Sequence, residues 1–96
     1  MNQKQFTIIV YADPSHAWGK VKRSVLQSLN IEQHISSYSY QRGDYVYLEE
    51  DCDLNVLCQR LNEHGTKVKF IEKTTNNLSR IRSYESFHVS NPDTTS

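Results

Sequence analysis

Tyrosines and cationic side chains recur around the middle of the chain, where they could form a ligand-binding surface. Tyr38 and Tyr40 precede the tripeptide Arg42-Gly-Asp, and Tyr45 and Tyr47 follow it. Aromatic rings stack on unpaired bases with a gain of about 1–3 kcal/mol per base, and Lys or Arg can meet the phosphates. Tyrosine and arginine are also favoured hot-spot residues of protein interfaces. The pattern therefore predicts that the chain binds either nucleic acid or a protein partner.

The alternation of strand side chains predicts that these rings share one face of a hairpin. If Arg42 pairs with Tyr45 across the turn, then Tyr40 lies opposite Tyr47, and Tyr38 lies opposite Glu49. The other side of the hairpin receives aliphatic and small residues that suit a core, namely Ile35, Ser37, Ser39, Val46 and Leu48. We therefore expect the tyrosines to point away from the helices.

Two further strands are expected to extend this face. In Phe6–Ala12 the aliphatic residues at alternate positions suit the core, which leaves Tyr11 outward, and in Lys67–Lys73 the same reasoning leaves Lys69 outward. A local basic patch is compatible with neutral net charge, because a ligand responds to the local potential. The binding residues predicted on this face are Tyr11, Tyr38, Tyr40, Arg42, Tyr45, Tyr47 and Lys69.

Two basic segments are expected to border the face. Asp13-Pro14 reads as the start of a helix, whose N-terminus would bind an anion with help from His16, Lys20 and Arg23. Trp18 could pack under the sheet edge or anchor an interface with a partner. Arg80 and Arg82 lie on one side of an extended segment and could grip phosphates or carboxylates. In the alternative interpretation, the helix start is a solvated basic face and the arginines pair with acidic residues of the same chain.

No motif predicts catalysis, a metal or a cofactor. The acidic cluster Glu49–Asp53 lacks the glycine and the spaced ligands of a calcium-binding loop, and capping of the next helix explains it more simply. Cys52 and Cys58 match no zinc spacing, and Cys58 falls in an apolar stripe. The four histidines are scattered. We therefore expect a non-enzymatic protein.

Composition limits the architecture to a small domain. The chain has 96 residues, 36% of them hydrophobic, with 11 basic and 11 acidic residues. It contains no apolar run of the roughly 20 residues that a membrane helix needs, and its first residues lack the apolar stretch of a signal peptide. The sequence predicts a cytoplasmic protein without a membrane partner, with one α+β domain over residues 1–90 and a flexible polar tail at 91–96.

Periodicity predicts the elements that position these residues. Phe6–Ala12 is β-branched or aromatic almost throughout, which favours a strand. Val21, Val25 and Leu29 recur every four residues, which favours a helix over residues 14–29. The hairpin follows, and after it the apolar stripe Leu54, Leu57, Cys58 and Leu61 predicts a second helix, capped by Asp51 or Asp53. Gly65 is expected to end this helix in a left-handed conformation, and Lys67–Lys73 is expected to form the last main strand. The segment Arg80–Tyr84 reads as an edge strand or an ordered arm.

This order, βαββαβ, predicts a ferredoxin-like sandwich with an antiparallel sheet, two helices on one face and a C-terminal arm. The opposite face would be solvated, covered by the arm, or buried against a partner. Cross-strand tyrosine pairs also stabilise a hairpin with no ligand. Ile81, Tyr84 and Phe87 could cover the tyrosines, and two chains could pair through them as a homodimer.

Two resemblances add context. Arg42-Gly-Asp-Tyr-Val-Tyr47 locally resembles the third strand of RNA-recognition motifs, although Asp44 and the spacing of the tyrosines depart from that motif. The segments His16–Val21, Ser37–Asp53 and Ser79–Tyr84 together resemble a group of short tailed-bacteriophage proteins of unsettled activity. That resemblance implies an accessory protein in the cytoplasm of an infected host, which binds and inhibits a host or defence protein. Binding of a nucleic acid or nucleotide is the alternative.

Overall fold

The β-branched start of the chain forms strand β1 (Lys4–Ala12) in the computed structural model, which describes residues 4–89. The predicted flexible tail, residues 91–96, lies outside the described residues. The elements that follow are β2 (Ala17–Lys22), α1 (Arg23–Ser28), a 3-10 turn (Glu32–His34), β3 (Tyr40–Arg42), β4 (Tyr45–Glu49), α2 (Asp53–Glu63), β5 (Thr66–Thr74), a 3-10 turn (Arg80–Ser83) and β6 (Glu85–Ser86).

The described strands form one mixed sheet in the order β5-β1-β2-β4-β3-β6. β1 pairs in parallel with β5, and every other neighbouring pair is antiparallel. The parallel pair is possible because the chain from β1 to β5 includes both helices, which is ample length for a crossover. The α+β class is therefore confirmed.

Both helices pack on the same face of the sheet. Val46 and Leu48 of β4 are fully buried there, beneath Leu26 of α1 and Leu57 of α2. Ile8 of β1 completes the centre of this main core. The predicted division of the hairpin, with its aliphatic residues toward the helices, is confirmed.

The predicted helix over residues 14–29 is wrong in its first half. Asp13 instead opens a tight turn, in which its Oδ1 accepts the N–H groups of Ser15 and His16 at 2.9 Å each. β2 follows at Ala17, because the residues from there to Lys22 alternate between core and outer face. Helix α1 has only six residues and starts at Arg23.

This change alters the topology. Because β2 follows β1 directly, the chain runs ββα-ββα-β, with β6 after the second 3-10 turn, and the ferredoxin-like order is not confirmed. The sheet is also mixed rather than antiparallel. The expectation that the segment Arg80–Tyr84 is an edge strand or arm is met in part, since it forms a 3-10 turn that leads into β6.

Smaller expectations have mixed outcomes. The pairing of Arg42 with Tyr45 and of Tyr40 with Tyr47 is confirmed, but the ladder ends at Tyr40, so Tyr38 does not pair with Glu49. Gly65 has the predicted positive φ, +73°. The predicted aspartate cap of α2 is wrong, since no side chain caps this helix.

Gly19 sits where α2 approaches the sheet most closely. A Cβ atom at this position would lie 2.6 Å from Cδ1 of Leu54 and 3.1 Å from Cγ2 of Ile8. We expect Gly19→Val to lower the free energy of unfolding by about 1–3 kcal/mol, because overpacking forces neighbouring side chains out of their rotamers. Urea unfolding followed by circular dichroism measures this change. The comparison variant is Gly43→Ala, because a Cβ added there would meet no atom within 4 Å and only the positive φ opposes the side chain. Unchanged stability in Gly19→Val would contradict the close packing.

Candidate functional site

The sheet face opposite the helices carries a separate cluster of rings, which we call the aromatic face (Tyr11, Trp18, Tyr40, Tyr45 and Tyr47). Tyr40 pairs with Tyr47 across β3 and β4, and Trp18 of β2 meets Tyr40 edge-on with ring centroids 6.2 Å apart. None of these rings belongs to the main core under the helices. The predicted outward orientation of the tyrosines is therefore confirmed.

The face is not open along its whole length, because residues 79–84, which we call the crossing segment, pack on it. Ile81 is 3% exposed and belongs to the same cluster as Trp18 and Tyr47. The ring of Tyr84 lies 5.1 Å from that of Tyr47, between centroids. As a result Trp18 is only 3% and Tyr47 only 8% exposed. The chain itself covers the two rings at the centre of the predicted surface.

Asp13 holds the crossing segment in place. Its side chain is fully buried and forms a two-point salt bridge with Arg82, with Nε at 2.6 Å from Oδ2 and a second guanidinium nitrogen at 3.0 Å from Oδ1. Oδ2 also accepts the backbone N–H of Ser79 at 3.0 Å. The Arg82 guanidinium, assisted by these backbone N–H groups, holds the pKa of Asp13 far below its usual range, and Asp13 in turn raises the pKa of Arg82.

Cations lie against rings of both the aromatic face and the crossing segment. The Nζ atom of Lys20 is 4.2 Å from the ring centroid of Tyr45, and the Arg42 guanidinium carbon is 5.1 Å from that of Tyr84. Arg82 lies over Trp18 at 5.4 Å. Such contacts contribute about 0.5–1 kcal/mol each at exposed sites. They keep positive charge close to the aromatic surface.

On one side of the crossing segment lies a concave site of about 600 Å³, which we call the basic groove. Tyr11 and Tyr84 are half-buried in its wall, so part of each ring remains accessible, and Lys20 and Arg80 supply positive charge. Burial raises the pKa of the Tyr47 phenol, and the neighbouring Tyr84 and Tyr11 raise it further, so that phenol stays neutral and can donate a hydrogen bond. The complete lining is Tyr11, Lys20, Tyr47, Thr75, Asn77, Leu78, Ser79, Arg80, Ile81 and Tyr84.

On the other side of the crossing segment lies a second groove of about 370 Å³. Here Glu49 and Asp51 offset the positive charge of Arg82, and Tyr38 projects from the rim with 76% of its surface exposed. The Glu49 carboxylate already accepts the backbone N–H groups of Asp51 and Cys52, at 2.8 and 3.0 Å. The mixed charge makes this groove less suited to an anion.

The predicted site residues are therefore divided between two grooves. The basic groove holds Tyr11, Lys20, Tyr47 and Arg80, and the second groove holds His16, Trp18, Tyr38, Tyr40 and Arg82. Arg42, Tyr45 and Lys69 line neither groove. The expectation that His16, Lys20 and Arg23 form an anion site at a helix start near Asp13 is wrong, because His16 lies in the first turn, Lys20 lies in β2 and the helix begins only at Arg23.

Two residues that shape the site, Asp13 and Tyr84, were not among the binding residues predicted from the sequence. Asp13 was expected to cap a helix, and Tyr84 was expected only as a covering residue. The signal for Asp13 was present in Asp13-Pro14-Ser15-His16, since aspartate followed by proline favours a turn as well as a helix start. The partner of Asp13 is 69 residues away in sequence, at Arg82.

The acidic cluster and the cysteines form no metal site in the part of the chain that the structure describes. Within residues 4–89, no three His, Cys, Asp or Glu side chains come together in a way that could hold an ion. Asp53, 2% exposed, accepts hydrogen bonds from the hydroxyls of Ser36 and Ser39, at 2.7 and 2.6 Å. It thereby ties α2 to the loop before β3.

The two free cysteines differ in their surroundings, which predicts different reactivity. Cys52 is exposed, whereas Cys58 packs against the main core, where burial raises the pKa of its thiol. Because the thiolate is the reactive form, we expect a disulfide reagent at pH 8 to modify Cys52 at least about tenfold faster than Cys58. Mass spectrometry of Cys52→Ser and Cys58→Ser variants measures each rate. Equal rates would contradict the burial of Cys58.

Neither α-helix within residues 4–89 has the length and apolar character needed to cross a bilayer. Comparison of the chain with models of protein families, with curated proteins and with solved structures gave no significant match. The charge and shape of the two grooves are therefore the basis for assigning a function.

Proposed function

We propose that this chain is a small non-enzymatic binding protein whose basic groove holds single-stranded nucleic acid. The observation that carries the proposal is the convergence of Tyr11 and Tyr84 with Lys20 and Arg80 on one concave surface. The rings are only half-buried, so an unpaired base can contact them, and the cations are placed to meet the neighbouring phosphates. Proteins that bind single strands combine these two features.

The distribution of charge supports an anionic ligand although the net charge is zero. The pairing of strands places Lys20 and Lys22 of β2 and Lys69 and Lys73 of β5 on the same side of the sheet as the aromatic face. Glu72 points to the helix side, and the charge of Asp13 is balanced by Arg82. Glu49 lies on the same side as the aromatic face but lines the second groove, not the basic groove. A polyanion approaching the basic groove therefore meets a surface that is locally positive.

The dimensions favour an unpaired strand over a duplex. A groove of about 600 Å³ falls in the range of sites that hold molecules of nucleotide size. A base inside a duplex is stacked on both faces and paired along one edge, so it cannot enter a groove to contact rings in its wall. We propose one bound base in contact with Tyr11 or Tyr84, with neighbouring phosphates near Lys20 and Arg80.

A protein partner is the second candidate, and the observation that favours it is the exposed apolar surface on the outer strand β5, where Phe70 is 51% and Ile71 44% exposed. The resemblance to phage proteins implies that the ligand is met in a bacterial cytoplasm, where a protein partner would be a host or defence component. The two candidates use different surfaces of the sheet.

Titration of a fluorescein-labelled 12-nucleotide oligo(dT) by anisotropy tests the proposal, with a 12-base-pair duplex and heparin as comparison ligands. We expect saturable binding of the single strand, weaker binding of the duplex, and a steep loss of affinity as salt rises because counterions are released. Equal affinity for all three polyanions would show attraction by charge alone. Absence of oligonucleotide binding at low salt would contradict the proposal.

A further inference from the structure

The outer strand β5 has an open edge. Among the described residues, β1 is the only strand that bonds to it, so one side of the nine-residue stretch Thr66–Thr74 lacks a neighbouring strand. Every residue from Lys69 to Thr74 is exposed, including the large apolar side chains of Phe70 and Ile71. A long edge strand with exposed apolar residues is a template for an added strand.

The register of β5 fixes which side chains an added strand would meet. Val68 and Phe70 lie beside Phe6 and Ile8, on the helix side of the sheet. The opposite side carries Ile71 and three cations, Lys67, Lys69 and Lys73. One side of the edge is thus apolar at its centre, and the other side is strongly basic.

A second copy of the chain is a poor occupant of this edge. An antiparallel pair related by a twofold axis would place Lys67 opposite Lys73 if it were centred on Phe70. Centred on Ile71, it would place Lys69 opposite Lys73. Directly opposed like charges destabilise a strand pair, so the lysines act against self-association and favour a strand that carries acidic residues.

A groove on the helix side gives the added strand a place for an apolar side chain. The space between α2 and β5 is about 370 Å³. Val10, Leu54, Cys58 and Phe70 form its apolar wall, and the polar side chains of Glu50, Asn55 and Glu72 complete its lining. Burial of one valine or leucine side chain there would contribute about 1.5–3 kcal/mol. Added strands gain affinity from main-chain hydrogen bonds and specificity from such alternate side-chain pockets.

We propose that the open edge of β5 binds an extended segment of a partner protein in which acidic and apolar residues alternate, and that this segment adds a seventh strand to the sheet. Its acidic side chains lie against Lys67, Lys69 and Lys73, and an apolar side chain enters the groove beside Phe70. No residue of β5 lines the basic groove, although Lys69 and Lys73 add positive charge on the same side of the sheet, so the inference does not depend on nucleic-acid binding in that groove.

Amide hydrogen exchange by NMR, with the blocked peptide acetyl-(Glu-Val)4-amide as probe, tests the inference. We expect saturating peptide to slow exchange at alternate amides of β5, those that face the open edge, by roughly tenfold or more. The opposite-charge peptide acetyl-(Lys-Val)4-amide is expected to leave these rates unchanged. Slowed exchange elsewhere with none in β5, or equal effects of the two peptides, would overturn the proposal.

Two controls separate strand addition from attraction by charge. Two peptides, one N-methylated on all glutamates and the other on all valines, lack hydrogen-bond donors along opposite edges. One is therefore expected to bind and the other to fail. Equal binding of both would overturn strand addition. On the protein, Phe70→Ala is expected to weaken binding roughly three- to tenfold, whereas Lys4→Glu is expected to have little effect. Sedimentation of the free protein is expected to give a monomer. A dimer that Phe70→Asp dissociates would show instead that a second copy of the chain binds the edge of β5.

Discussion

Replacement of Asp13 by alanine is expected to release the crossing segment from the aromatic face. The variant loses the salt bridge to Arg82 and the acceptor for the N–H groups of Ser15, His16 and Ser79. Removal of one partner from a buried, hydrogen-bonded pair is strongly destabilising. We expect the melting temperature to fall by about 5–10 °C, and the fluorescence of Trp18, the only tryptophan, to shift to the red as the ring becomes wet.

The matched control is Asp44→Ala, which removes an exposed carboxylate in the hairpin turn and is expected to leave both measurements unchanged. Cleavage by trypsin after Arg80 or Arg82 should be faster in Asp13→Ala than in this control. Arg82→Leu combined with Asp13→Ala should cost much less than the sum of the single effects, because the two residues act as a pair. Full additivity, or an unchanged tryptophan spectrum, would contradict the anchoring role of Asp13.

The same pair gives stability a dependence on pH. The folded pKa of Asp13 lies well below its ordinary value of 3.8, so its contribution is present above about pH 4 and is lost as pH falls below that value. Urea unfolding at pH 7 and pH 3 should therefore show a larger decrease for the wild-type protein than for Asp13→Asn. An equal decrease in the two proteins would assign the acid sensitivity to other groups.

Reversal of charge in the basic groove is the second large effect that we expect. Lys20→Glu combined with Arg80→Glu should weaken binding of oligo(dT) by at least about a hundredfold, since each reversal replaces an attraction to phosphate by a repulsion. Lys20→Ala and Arg80→Ala should each reduce the slope of log affinity against log salt by about 0.7, the value for one phosphate contact on a single strand.

Lys4→Glu is the control for this prediction, because Lys4 is exposed and its strand register places it on the helix side of the sheet. It changes net charge by the same amount as Lys20→Glu. If Lys4→Glu and Lys20→Glu weaken binding equally, the protein attracts nucleic acid by overall charge and the basic groove has no special role. Circular dichroism of each variant establishes that the fold is retained.

The sequence predicted the hairpin and the orientation of its rings because both depend on local rules. Arg42-Gly-Asp defines the turn, and alternation then places Tyr40 and Tyr47 together and Val46 under the helices. Helix α2 was equally predictable from the sequence, since Leu54, Leu57 and Leu61 form a stripe at helical spacing. In these segments local pattern and tertiary packing favour the same structure.

The first helix was mispredicted because two periodicities overlap in that segment. Val21 and Val25 are four residues apart, as in a helix, but Ala17, Gly19 and Val21 also alternate with Trp18 and Lys20, as in a strand. The strand was favoured in the structure because β1 on one side and β4 on the other pair with it. Such pairing is a tertiary effect that overrides weak local preference.

Local sequence offered coverage of the tyrosines by Ile81 and Tyr84 only as one of several alternatives, and it could not fix the position of the crossing segment. Its position depends on a buried aspartate in the first turn and an arginine 69 residues later, and on Ile81 filling the space beside Trp18 and Tyr47. As a consequence the predicted open surface became two grooves. The residues proposed to contact a base are therefore Tyr11 and Tyr84 rather than the tyrosines of the hairpin.

Photocrosslinking of bound oligonucleotide tests the central claim most directly. A 12-nucleotide strand of bromodeoxyuridine, irradiated in complex with the protein and digested, would be mapped by mass spectrometry. Crosslinks are predicted at Tyr11 or Tyr84, and Tyr11→Leu should remove those at residue 11 while Tyr38→Leu leaves the pattern intact. Crosslinks concentrated at Tyr38, or spread over residues outside the basic groove, would contradict the proposed binding site.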